Sequence, residues 1–204
     1  MRNKRATAIL LASSFIPSAA SAESGLYYGL GLATRNAWSA EDFGGSSRDT
    51  NPAIGFTLGY RADSGAVFFG GELDGEFSLG SDMKPTGGSS CDVGANGPYV
   101  CETNATVRLR GIAGTSLGNG TEVFGTAGFV AIVGESAVNP TEQANVVNRG
   151  FTFGVGVQRD FGTGKLRGEL IYDRAMKSNE PSSNFGSSYD PDLSAVTAKL
   201  SYLF

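Results

Sequence analysis

Three acids at every second position, Glu72, Asp74 and Glu76, are the residues of this chain best placed by type and spacing to do chemistry. Alternation sets all three on one face of an extended segment. Carboxylates held together can act as acid and base when their surroundings push their pKa values apart, and a ring of acids can select cations. Two arginines at the same spacing, Arg108 and Arg110, follow in a later segment. If the two segments pair as a hairpin around residues 78–104, a symmetric register sets Asp74 opposite Arg108 and Glu72 opposite Arg110. Guanidinium neighbours favour the ionised carboxylate, which suits ion pairing better than proton transfer. Arg167, Glu169 and Asp173 share one face of a further segment, and Lys199 adds a cation from the closing one, with Glu169 its expected partner.

What is missing narrows the chemistry further. The chain has no histidine, so the commonest general base is absent, and a metal site would need ligands beyond its two cysteines. No cofactor is expected, and catalysis is not the expected role. A formal net charge of −4 gives no reason to expect nucleic acid as a partner. Cys91 and Cys101 lie in a Gly/Ser/Asn-rich stretch, and in an exported protein such a pair is most simply a disulfide. Closing that loop is worth about 3 kcal/mol on the chain-entropy account.

Export itself is written at the start. Arg2, Lys4 and Arg5 precede the apolar run of residues 6–16, and Ala20-Ser21-Ala22 supplies small residues for cleavage. This is the pattern of a secretory signal peptide over residues 1–22, leaving residues 23–204 as one domain. Within that domain the 30 glycines of the chain disfavour helices, and apolar residues alternate with small or polar ones. Alternating segments start near Leu26, Ile54, Val67, Thr106, Thr121, Phe151, Leu166 and Val196. The fifth carries apolar residues on both faces (Val123, Phe124, Phe129, Val130, Ile132, Val133), so its register stays open. Residues 34–50, 78–104, 135–148 and 175–192 read as long loops, separated by short turns at 62–65, 117–120 and 162–164. Long and short connections that alternate in this way describe an up-and-down sheet with all its long loops at one end.

The polarity of the two faces decides what surrounds the sheet. One face carries Leu, Phe, Val and Tyr almost free of charge, and the other carries Gly, Thr, acids and arginines. Bulky apolar residues outside and small or charged ones inside suit a lipid-facing barrel with a polar lumen. Closure also satisfies every backbone donor in a medium without water. Tyr60 and Tyr202 fall near strand ends on the apolar face, where an interfacial aromatic girdle sits.

The last strand carries the most motif-like pattern, with Val196, Ala198, Leu200, Tyr202 and the terminal Phe204 on one face. Together with the signal peptide it resembles the small eight-stranded outer-membrane barrels, the class of the OmpA transmembrane domain and OmpX, and the porin-like outer-membrane proteins of alphaproteobacteria. The resemblance implies an all-β fold, a closed eight-stranded antiparallel up-and-down transmembrane β-barrel reached through the periplasm. It also implies barrel-assembly machinery that reads Val196, Leu200, Tyr202 and Phe204 during biogenesis. Outer-membrane lipid and lipopolysaccharide would surround the wall, and four extracellular loops would be open to an extracellular ligand. The expected role is structural or surface-interactive over a lumen closed by ion pairs. A porin-like channel for small solutes is the alternative, and a lipid-modifying enzyme is further off, because enzymes of this class use a histidine.

Overall fold

A computed structural model describes residues 25–40, 46–80, 83–85, 99–139, 142–176 and 192–204. Residues 1–22, read above as a signal peptide, and Cys91 lie outside the described residues. The chain forms β1 (Gly25–Ala40), β2 (Ser46–Ser64), β3 (Val67–Ser78), a two-residue β4 (Lys84–Pro85), β5 (Tyr99–Gly118), β6 (Thr121–Asn139), β7 (Glu142–Phe161), β8 (Gly164–Met176) and β9 (Asp192–Leu203). The eight long strands pair antiparallel with their sequence neighbours, and β1 pairs with both β2 and β9, which closes the sheet into a barrel. The short β4 adds only a small pairing at the outer end of β2.

Three tight turns, at 65–66, 119–120 and 162–163, join the strands at the end that also holds the last residues of the chain. Asn119 and Gly120 both take left-handed φ, 53° and 69°. Two such residues in succession make a turn whose twist matches the flanking strands, which is why Asn-Gly is favoured there.

The faces separate as the alternation requires. Leu30, Leu58, Phe69, Leu109, Phe129, Phe153, Leu170 and Leu200 point outward and are exposed, whereas Arg108, Asp74, Asp173 and Thr57 point inward and are buried. Exposure of so many large apolar side chains around a closed wall is the signature of a barrel in lipid.

Three loop readings of the sequence are corrected. Residues 34–50 and 135–148 are mostly strand and not loop, since β1 and β2 stay paired out to Ala40 and Ser46, and β6 and β7 to Asn139 and Glu142, and the end of the 78–104 stretch is strand as well, since β5 pairs with β6 from Tyr99. Their polar composition marks where the wall leaves lipid, and the backbone ladder continues beyond that point. Cross-strand polar bonds such as Asn36 Nδ2 to Thr50 Oγ1 at 2.5 Å support it there. The 20-residue strands β5 and β7 extend roughly 68 Å along the chain at ~3.4 Å per residue. At a tilt near 45° they rise about 48 Å, well beyond an apolar band of ~25 Å.

The open register of the fifth segment resolves as well. Glu122, Phe124, Val130 and Ile132 face the lumen, while Val123 and Phe129 face out. Pattern could not separate these faces because part of the lumen is itself apolar.

Candidate functional site

The lumen is filled in layers, and the charged layer is its centre. β3 places Glu72 across from Arg110 and Asp74 across from Arg108 on β5. Arg108 is wholly buried. Its Nη1 lies 2.8 Å from Asp74 Oδ1, its Nη2 donates to Glu76 Oε2 at 3.0 Å, and its Nε and Nη2 grip Asp173 at 2.9 and 2.7 Å. Arg110 donates to Glu72 Oε2 at 3.0 Å and holds both oxygens of Glu169 at 2.7 and 2.9 Å. Around the ring β3 and β8 stand four strands apart. Acids on opposite walls therefore share the two arginines of β5.

Arg167 and Lys199 complete the layer. Arg167 Nη1 donates to Glu72 Oε1 at 2.5 Å and its Nε to Gln158 Oε1 at 2.8 Å. Tyr27 donates its hydroxyl to the same Glu72 oxygen. Lys199 departs from expectation. Its backbone neighbour across β8 is Glu169, but Nζ reaches Asp74 Oδ2 instead. Glu169 is already held by both nitrogens of Arg110, and the flexible lysine stem spans the lumen to an acid that also accepts from Thr57 at 2.8 Å.

Glycines facing inward leave space for these side chains. A methyl on Gly55 would meet Lys199 Cε at 2.7 Å, and one on Gly154 would meet Glu169 Oε1 at 2.8 Å. The alternation of small and charged residues on the inner face is thus a packing requirement.

Below this layer, toward the tight turns, Arg61 holds Asp63 and Glu122, the latter at 2.7 and 2.8 Å. Lys165 reaches Glu122 at 3.0 Å. The Arg61 guanidinium lies 3.9 Å from the ring centre of Phe68, and that of Arg167 4.7 Å from Phe124. Above the charged layer an apolar one is built from Met83, Val100, Val130, Ile132 and Leu193 with three alanines. Met83 enters from the connection between β3 and β5, tied by its N–H to the carbonyl of Cys101 at 2.7 Å. Between the layers, buried Arg35 donates to Thr106 Oγ1 and, at 3.4 Å, to the carbonyl of Thr103.

Sequence reasoning did not single out Tyr27, Arg35, Arg61 or Glu122. Arg61 stood on the polar face of its strand and could have been paired, but Arg35 fell in a stretch read as loop and Glu122 in the strand of open register. Cys101 is buried, and its expected partner lies outside the described residues. At the closing strand Phe204 stacks on Tyr28 at 5.1 Å and meets Tyr202 edge-on at 4.8 Å, on the outer wall near the tight turns.

Chemically, each acid of the charged layer is matched by a neighbouring cation, and the described residues hold no group of three His, Cys, Asp or Glu side chains placed to bind a metal ion. The arrangement holds walls together across a lumen.

A closed eight-stranded barrel with lipid-facing leucines and phenylalanines, a salt-bridged interior and tight turns at the end where β1 begins and β9 finishes is a small barrel of the bacterial outer membrane. No family model and no curated protein matches the sequence. Among solved structures the chain is similar to Ail, the attachment invasion locus protein of Yersinia pestis, at 12% identity with a TM-score of 0.52, covering 89% of this chain and 99% of that one. It is similar to Neisserial surface protein A, at 10% identity and a TM-score of 0.52, covering 89% and 98%. It is also similar to the outer membrane protein AlkL, at 12% identity and a TM-score of 0.51, covering 95% and 97%. Likeness at this identity is a likeness of fold.

Proposed function

We propose that this protein is a sealed outer-membrane barrel with a structural or surface-interaction role, presenting its outer connections to the cell's surroundings. The observation that carries the reading is the pair of arginines, Arg108 and Arg110, each bonded to acids from opposite walls of the lumen. An eight-stranded barrel is just wide enough for side chains to fill, and here charged and apolar layers succeed one another along its axis. A small-solute channel would need that stack to open. An enzymatic role is not proposed, since no histidine is available for the proton transfers used by enzymes of this class.

Surface display is supported by the connections at the outer end, whose sequences at 86–98 and 177–191 are rich in Gly, Ser, Asn and Pro. Attachment is named for Ail, and for the present chain it is one form that a surface role could take. Swelling of liposomes containing the purified protein tests the sealed lumen. Liposomes in an isotonic small sugar are expected to swell no faster than protein-free ones, and rapid sugar-dependent swelling overturns the reading in favour of a porin-like channel.

A further inference from the structure

The outer wall carries one feature that neither the fold nor the lumen explains. Across β5, β6, β7 and β8 the outward residues Val107, Ala131, Arg149 and Met176 lie side by side in one row, and Leu109, Phe129, Phe151 and Arg174 in the next. Ala131 is the small member of its row, and the wall sinks there into a groove of about 460 Å³ lined by Val107, Phe129, Phe151, Met176 and, in its outer row, Arg149. Phe129 and Phe151 lie with ring centres 5.6 Å apart along one side.

The lining arginine differs from its neighbour. Arg174 is engaged by Asp192 at 2.7 Å and Ser194 at 3.0 Å, whereas Arg149 is exposed and makes no side-chain hydrogen bond or ion pair among the described residues. Its depth is set by β7 itself. Arg159 and Arg149 both face outward, ten residues apart, with Phe151, Phe153, Val155 and Val157 between them. That length is roughly 34 Å of strand, about 24 Å of height at a 45° tilt, which matches the apolar band of ~25 Å. Arg149 therefore stands at the outer boundary of the hydrocarbon, at headgroup level, in the outer row of the groove's lining.

We infer that this groove is a lipid site, seating an acyl chain of a phosphorylated lipid of net negative charge in the outer leaflet while Arg149 binds its phosphate. The occupant follows from the surroundings. A groove on the lipid-facing wall is covered by lipid, the apolar lining accepts a chain, and an arginine at its edge with no partner among the described residues selects an anionic headgroup by charge-assisted bonds. The inference rests on the outer-membrane location alone and is independent of the sealed lumen.

Native mass spectrometry of the folded, detergent-solubilised protein, mixed with either lipid A or phosphatidylcholine, tests it. The wild type is expected to retain one lipid A in preference to phosphatidylcholine. Arg149→Gln, an exposed change that leaves the barrel folded, should lower lipid A retention roughly tenfold, as loss of a bond to a charged group does. Ala131→Phe, which fills the groove, should lower it as well. Arg159→Gln, at the opposite boundary, should not. Equal retention of the two lipids, retention unchanged by Arg149→Gln, or an equal loss in Arg159→Gln overturns the proposal.

Discussion

Arg108 of β5 and Asp173 of β8 grip one another through three N–H···O bonds, at 2.9, 3.2 and 2.7 Å, from strands that are three apart around the barrel. No neighbouring-strand hydrogen bond joins those two walls, so the pair acts as a strut across the lumen.

Removing the guanidinium leaves Asp74, Glu76 and Asp173 buried without their shared cation. Arg108→Met is expected to cost about 3–5 kcal/mol, the penalty of leaving buried charge uncompensated. Urea unfolding in lipid vesicles, followed by the heat-dependent gel shift, measures it. An unchanged midpoint would mean that water already reaches these acids.

Lys199 and Asp74 provide a cleaner separation of pair energy from desolvation. A double-mutant cycle with Asp74→Asn and Lys199→Met should give a coupling of about 0.5–3 kcal/mol. Coupling near zero, with a sizeable value between Lys199 and Glu169 instead, would restore the cross-strand pairing suggested by register alone.

The inward glycines should be intolerant of bulk. Gly55→Val crowds Lys199 and is expected to lose about 1–3 kcal/mol, as overpacked interiors do. Adding Lys199→Ala should return much of that loss, and strict additivity of the two changes would speak against steric contact between them.

Phe204 joins the aromatic group of Tyr28 and Tyr202, and its N–H donates to the Tyr28 carbonyl at 2.7 Å. Deleting it should reduce the folded, heat-modifiable fraction recovered from outer membranes. Normal insertion of the truncated chain would remove the terminal residue from any role in assembly.

The strand count, the alternation and the paired charges of β3 and β5 were legible because lipid imposes a strict polarity on every second residue. Glu72 and Asp74 could be set opposite Arg110 and Arg108 from spacing alone. The ends of the strands were not legible: past the lipid boundary, at residues such as Asn36 and Thr50, the outer face turns polar while the ladder persists, and polarity no longer reports pairing. The inward Val130 and Ile132 were hidden for the opposite reason, since an apolar layer inside the lumen looks like a lipid-facing one. The partner of Lys199 was set by a long side chain crossing the interior, which no neighbouring-strand rule anticipates.

Planar-bilayer recording of the purified barrel tests the sealed lumen most directly. With Arg108 and Arg110 bonded to acids on opposite walls beneath the layer of Met83, Ile132 and Leu193, the inserted protein should show no steady openings at moderate voltage. Steady, ion-selective openings from the unmodified protein would contradict the account and assign it to the channels.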